Sequence, residues 1–218
     1  MARWGAGVAG VVLVCVAAAG CAGRQVSAGG GTGGAVTLAT PGNARQARTL
    51  LARLQIGPWH SMRGYSRDRF RHWIDDGRGC NTRELVLRRE GRQVRTTASC
   101  AAVAGRWVSP YDGERVSSPR RLDVDHLVPL ANAWRSGADR WTDAQRERFA
   151  NDLRDPELVA VTLQTNRAKG DQGPEAWRPP LRSVWCSYAV DWIAVKSAYR
   201  LTVTAAERSA LQDMLGHC

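Results

Sequence analysis

Between Leu122 and Asp171 the chain reads LDVDHLVPL and then, further on, AVTLQTNRAKGD. This stretch constrains the fold more than any other. The first segment is an apolar run that ends in an Asp–His pair, with Pro129 to finish it, which is the pattern of a short strand. In the second, Thr162 is placed to cap a short helix that Gly170 ends. A strand end can present Asp125 and His126 together. A short helix can bring back Asn166 and Lys169, which are three apart and so share a helix face. Asp123 is expected on the strand face opposite Asp125, in a structural part.

The remaining elements follow from spacing and capping. Ala47, Leu50, Leu51 and Leu54 recur at helical intervals from Ala44 to Gln55, until Gly57-Pro58 stops the pattern. Ser66 is placed to cap a short helix carrying Phe70 and Trp73. Between Cys80 and Cys100 the pattern is ambiguous: Leu85 and Leu87 alternate as in a strand, and Glu90-Gly91 marks a turn. Arg106 to Val108 reads as a short strand and Ser109 to Gly113 as a turn. The strand at Leu122–Val128 would complete a small antiparallel hairpin with it. Thr142-x-x-Gln145 and Thr204-x-x-Glu207 are capping boxes. They open helices over about Asp143–Leu153, with Phe149 inward, and before Gly216. Tyr188, Trp192, Val195 and Tyr199 form one helical stripe. The sum is an α+β chain, mainly helical.

The N-terminus reads MARWGAGVAGVVLVCVAAAGC. Arg3 precedes an apolar stretch, Val8 to Ala19, that is too short to span a membrane stably. Small residues then lead to Cys21. Residues 1–21 are therefore expected to be a lipoprotein signal with Cys21 lipidated, or an ordinary export signal cut after Ala19 or Ala22. The next segment, residues 22–43, is Gly, Ser, Thr and Ala with few large side chains, and is expected to act as a flexible tether reaching about 25 Å. One domain's worth of chain remains, residues 44–218. The protein is expected to be extracellular, held to the membrane through the lipid or released.

Cys80, Cys100, Cys186 and Cys218 form an even set in an oxidising compartment, so disulfides are the default. Proximity in sequence favours Cys80–Cys100 and Cys186–Cys218. No pair has the C-x-x-C spacing of a zinc–thiolate site. Formal charge is +11, and the only lysines are Lys169 and Lys196, so arginine supplies most of the positive charge. Such a surface favours polyanions: nucleic acid, an anionic cell wall or a membrane. The tryptophans are assigned to packing in preference to base stacking.

A carboxylate, an imidazole, an amide oxygen and a lysine converging on one spot suit phosphodiester hydrolysis with one bound metal ion. His126 is the natural general base. Asp125 offers an anionic hard oxygen and Asn166 a neutral one, a pair that suits Mg²⁺ keeping several waters; Mn²⁺ or another divalent ion is the alternative. Lys169 or a nearby arginine, Arg167 among them, would neutralise the phosphate. His60, His72 and His217 are expected to be packing or surface residues.

Asp-x-Asp-His-x-x-Pro-Leu followed by Asn-Arg-x-Lys-Gly-Asp resembles the HNH, or ββα-metal, nucleases. More narrowly, the chain is similar to secreted bacterial proteins with a GmrSD-like C-terminal nuclease domain. GYSRDRF at Gly64–Phe70 and CNTRELVL at Cys80–Leu87 extend the likeness, as does Trp107-x-Ser-Pro-Tyr-Asp-Gly. The resemblance implies a ββα core at about 105–175 with flanking helices stapled by disulfides. It also implies that His126 activates water while Asp125 and Asn166 hold the cation. Asn166 stands where the family often has histidine, and Asn81 where aspartate often occurs. Asn151 is the candidate for orienting His126, and Arg83 for approaching the phosphate or forming a structural ion pair. The implied substrate is nucleic acid, DNA ahead of RNA, cut with little sequence preference. Two other readings stay open: a non-catalytic basic lipoprotein binding nucleic acid or cell-wall polyanions, and a hydrolase of another phosphoester.

Overall fold

The computed structural model describes Met1 and residues 43–218. Apart from Met1, the expected export signal with Cys21 and all but the last residue of the tether lie outside the described residues. The helices are α1 (Ala44–Arg53), α2 (Thr82–Glu90), α3 (Leu130–Arg135), α4 (Asp143–Ala150), α5 (Leu163–Lys169), α6 (Trp185–Ala198) and α7 (Ala205–Leu215). The strands are β1 (Arg92–Thr96), β2 (Ala102–Val108), β3 (Arg115–Val116), β4 (Leu122–His126) and β5 (Leu158–Thr162). They form a three-stranded sheet, β1-β2-β3, and an antiparallel ribbon, β4-β5. The class is mixed α+β. No described helix is long and apolar enough to cross a membrane.

The ribbon separates two apolar clusters. On β5, Val159 and Val161 join the large helical core with Phe149, Trp134, Trp192 and Leu211, whereas Leu158 and Ala160 join a smaller one with Val86, Leu87, Trp107 and Val124. Two-residue alternation sends successive side chains of one strand into different cores. Both faces of β5 are therefore buried, and each fully enclosed side chain of this size contributes roughly 1.5–3 kcal/mol.

Several local expectations meet a different partner. The hairpin does not join β2 to β4: β2 pairs with β1 and β3, and β4 pairs with β5, some thirty residues downstream. The LVAVT run of β5 shows no alternation because it is buried throughout, so it carries no signal of the strand period. Leu85 and Leu87 lie on a helix, not a strand. The Asn81 side chain accepts the Glu84 backbone N–H at 3.0 Å and so caps α2. Ser66 caps only a 3₁₀ turn, Arg67–Arg69, and Trp73 beyond it sits at φ 59°. Helix α4 ends at Ala150 rather than Leu153.

Both capping boxes form, at Thr142/Gln145 and at Thr204/Glu207. Gly170, at φ 55°, ends α5 in a conformation that side chains resist. Disulfides join Cys80 to Cys100 and Cys186 to Cys218. Both lysines are fully buried and each faces a carboxylate. Lys196 meets Glu207 at 3.1 Å while donating to Asn132 and Ser136, which ties α6 to α3 and α7. Among the described residues the exposed basic side chains are therefore arginines.

Candidate active site

Register on the ribbon sets the site. Asp125 lies opposite Val159 and His126 opposite Leu158, so the two neighbours point to different faces of β4. Asp125 faces Tyr111 and Lys169. The Tyr111 hydroxyl donates to its Oδ2 at 2.7 Å, and Lys169 Nζ donates to its Oδ1 at 2.9 Å and to the His126 carbonyl at 2.8 Å. Burial raises the Asp125 carboxyl above its ordinary range, and the Lys169 charge and the Tyr111 hydrogen bond oppose that rise.

His126 is buried on the other face, where its ring stacks on Trp73 at 5.5 Å between centroids and His72 approaches edge-on at 6.1 Å. Its Nε2 lies 3.0 Å from the Ala150 carbonyl oxygen. A carbonyl only accepts, so Nε2 carries the proton and Nδ1 keeps its lone pair. Burial pushes the imidazole down to about 3, with the Arg67 charge adding to the fall and the Ala150 hydrogen bond opposing it. The ring is therefore neutral at physiological pH, with one nitrogen able to take a proton.

Asn166 is half-buried on α5, and its Nδ2 donates to Asp123 Oδ2 at 2.9 Å. Its amide oxygen has no protein partner among the described residues. Asp123 is two residues from Asp125 and so shares its face of β4, not the opposite one; its carboxylate orients the amide. A cavity of about 330 Å³ brings Arg67, Asp125, His126, Asn166, Arg167 and Asp171 to one surface. The donor chemistry, a carboxylate plus an amide oxygen, fits a hard divalent cation. No group of three His, Cys, Asp or Glu side chains forms a cage among the described residues. An ion at Asp125 and Asn166 would therefore keep most of its shell as water or substrate oxygen, as Mg²⁺ does.

Three assigned roles are corrected. Lys169 does not face the cavity: its side chain is fully buried between Asp125 and the His126 carbonyl. Thr165 and Lys169 lie on the inward side of α5 while Asn166 and Arg167 reach the cavity, so the lysine braces the site and cannot meet a phosphate in solvent. Asn151 does not touch His126. Its amide oxygen accepts from the Ile74 backbone N–H and the Thr82 hydroxyl, and its Nδ2 donates to the carbonyls of Arg71 and Glu147. The preceding residue, Ala150, orients His126 through its backbone, an interaction that no side-chain pattern encodes. Arg83 is spent on Glu84 and on the carbonyls of Pro119 and Leu122, which is the structural ion-pair alternative.

Sequence reasoning missed Tyr111, Arg67, His72 and Trp73 as site residues. Arg67, His72 and Trp73 lie outside residues 105–175, and only chain folding brings them to His126. The hints were that Arg67 falls within the family-like GYSRDRF string and Tyr111 within Trp107-x-Ser-Pro-Tyr-Asp-Gly.

One buried group next to the site invites a test. Glu157 is fully buried; its Oε2 accepts the Val128 N–H at 3.1 Å, while Oε1 has no partner. Burial raises its carboxyl well above 4.5. A raised folded pKa means that ionisation costs stability as pH climbs above the unfolded value. Relative to Glu157→Gln, the wild-type protein is expected to lose about 1.4 kcal/mol per pH unit above that value until the carboxyl ionises. Urea unfolding of both proteins between pH 5 and about pH 8 measures the divergence. Parallel curves would show that the carboxyl is not held neutral.

Fold and site together place a neutral histidine beside a cavity lined by Arg67, Arg167 and two aspartates, and the comparisons give the family. Residues 84–214 match the family model described as GmrSD restriction endonucleases, C-terminal domain, and the chain belongs to that family. A protein of the fungus Arthroderma benhamiae named "Uncharacterized secreted protein" is 55% identical over 182 residues, covering 82% of this chain and 89% of that protein. No solved structure matches.

Proposed function

We propose that this protein is an exported, metal-dependent endonuclease of the HNH type that hydrolyses DNA with little sequence preference. The observation that carries the reading is the meeting of Asp125, Asn166 and an Nε2-protonated His126 on one arginine-flanked cavity. Membership of a restriction-endonuclease domain family supports it. The β4-β5-α5 succession, with α5 packed on both strands, is the element to compare with a ββα core. Residues 127–157 intervene between its strands.

His126 takes the proton of the attacking water at Nδ1, while the Ala150 carbonyl holds the ring in the required tautomer. Burial alone leaves the imidazole a weak base. An anionic phosphate entering beside it raises its proton affinity and corrects this. Arg67 and Arg167 hold the non-bridging oxygens, and Tyr111 and Lys169 fix the Asp125 carboxylate. Asp125 and Asn166 would hold a divalent cation, which would supply charge neutralisation at the phosphate. Export is supported by the leader-like N-terminus and by the relative's printed name. Lipidation at Cys21 would keep the domain at the membrane.

Plasmid nicking by the purified, oxidised protein tests this. Cutting with Mg²⁺ and none in EDTA is expected, and Asn166→Ala should need roughly tenfold or more Mg²⁺ for residual activity. If a folded preparation cuts nothing across several divalent metals yet binds DNA, the non-catalytic polyanion-binding reading replaces this one.

A further inference from the structure

The sheet β1-β2-β3 carries a second basic surface. Register sets Arg92 directly opposite Arg106, and Arg115 opposite Val108. Opposed residues project from the same face, and Arg106 and Val108 are two apart on β2, so Arg92, Arg106 and Arg115 share one face. With Gln93, Val108 and the buried Glu90 they line a groove of about 680 Å³, which shares no lining residue with the cavity around His126.

The one carboxylate in the groove's lining, Glu90, is paired with Arg89 rather than with this face. No carboxylate among the described residues pairs with the three arginines. Glu114, in the adjoining turn, is likewise held by Arg121. Arg106 donates to Gln93, a neutral group in the uncommon left-handed conformation at φ 52°. Like charges directly opposed across a ladder destabilise the pair, and an anion lying in the groove would remove that cost. The groove also has no exposed ring: Trp107 is 2% exposed, with its indole turned to the Leu87 carbonyl. Unpaired bases would find no stacking platform there, whereas the backbone of a duplex needs only the guanidinium groups.

We propose that this groove grips the phosphate backbone of duplex DNA at a distance from the bond being cut. The proposal rests on the nuclease reading for its choice of polymer. Its consequence is that Arg92, Arg106 and Arg115 set affinity and salt dependence but not the chemistry of hydrolysis.

The test is fluorescence anisotropy of a short labelled duplex in EDTA over a range of salt, comparing wild type with R92A/R106A/R115A. EDTA separates binding from cleavage, so this experiment can fail while nicking succeeds, and the reverse. Affinity should fall at least tenfold, and the slope of log K against log salt should become shallower by about 2.7 for three lost phosphate contacts. Turnover of bis(p-nitrophenyl) phosphate should not fall, and the thermal midpoint should hardly change, because the one side-chain contact removed is the exposed Arg106–Gln93 hydrogen bond. Unchanged affinity and slope would overturn the proposal. So would an equal loss for single-stranded DNA, or a loss confined to vesicles containing phosphatidylglycerol, which would make the groove a membrane contact.

Discussion

Replacing His126 with alanine is expected to lower plasmid nicking by about 10²- to 10⁴-fold, the contribution of a positioned acid–base group, while DNA binding stays within about twofold. The imidazole meets its surroundings through one hydrogen bond to Ala150, the Trp73 stack and the edge of His72, and the phosphate-facing arginines are untouched. The variant also reports on burial. With the folded group at about 3 against an ordinary 6.5, the unfolded chain binds the extra proton between those values. Wild-type stability is therefore complete above pH 6.5 and falls as pH drops towards 3. The alanine variant lacks this contribution, so its stability should vary less over the same window. Nicking at the wild-type rate would sink the assignment of His126 as the base.

The largest stability effect is expected at Lys169. Lys169→Met leaves the Asp125 carboxylate buried with only Tyr111 for company, and breaking a buried pair from one side costs about 3–5 kcal/mol. Removing the charge that holds the carboxyl down lets it rise further, so cleavage should fall as well. The carboxylate and the lysine act as a unit. The double variant D125N/K169M should be more stable than the sum of the single losses by roughly 1–3 kcal/mol. Additive losses in urea unfolding would mean that the two side chains stabilise the fold independently and that Lys169 does not brace the site.

Much of the molecule follows from short-range chemistry. The capping boxes at Thr142 and Thr204, the Thr162 cap and the Gly170 stop are local hydrogen-bond and backbone events, and each forms where the residues stand. The cysteine pairing follows loop proximity. Asp125, His126 and Asn166 are close in pattern because a strand end and a helix face each bring their own residues together. Arg167 reaches the cavity on the same helix.

What failed depended on contacts distant in sequence. Strand β5 is buried on both faces and so shows no period; its pairing with β4, rather than β2 with β4, was settled by two cores that need a divider. The three arginines on the outer sheet face become a surface only through strand register. Residue types alone determined the chemistry available: an imidazole, hard oxygens, arginines and two lysines. Tertiary structure decided which of these meet solvent. It buried Lys169 against Asp125 because an unpaired charge inside a protein is costly, and it gave the orientation of His126 to a backbone carbonyl, which every residue carries.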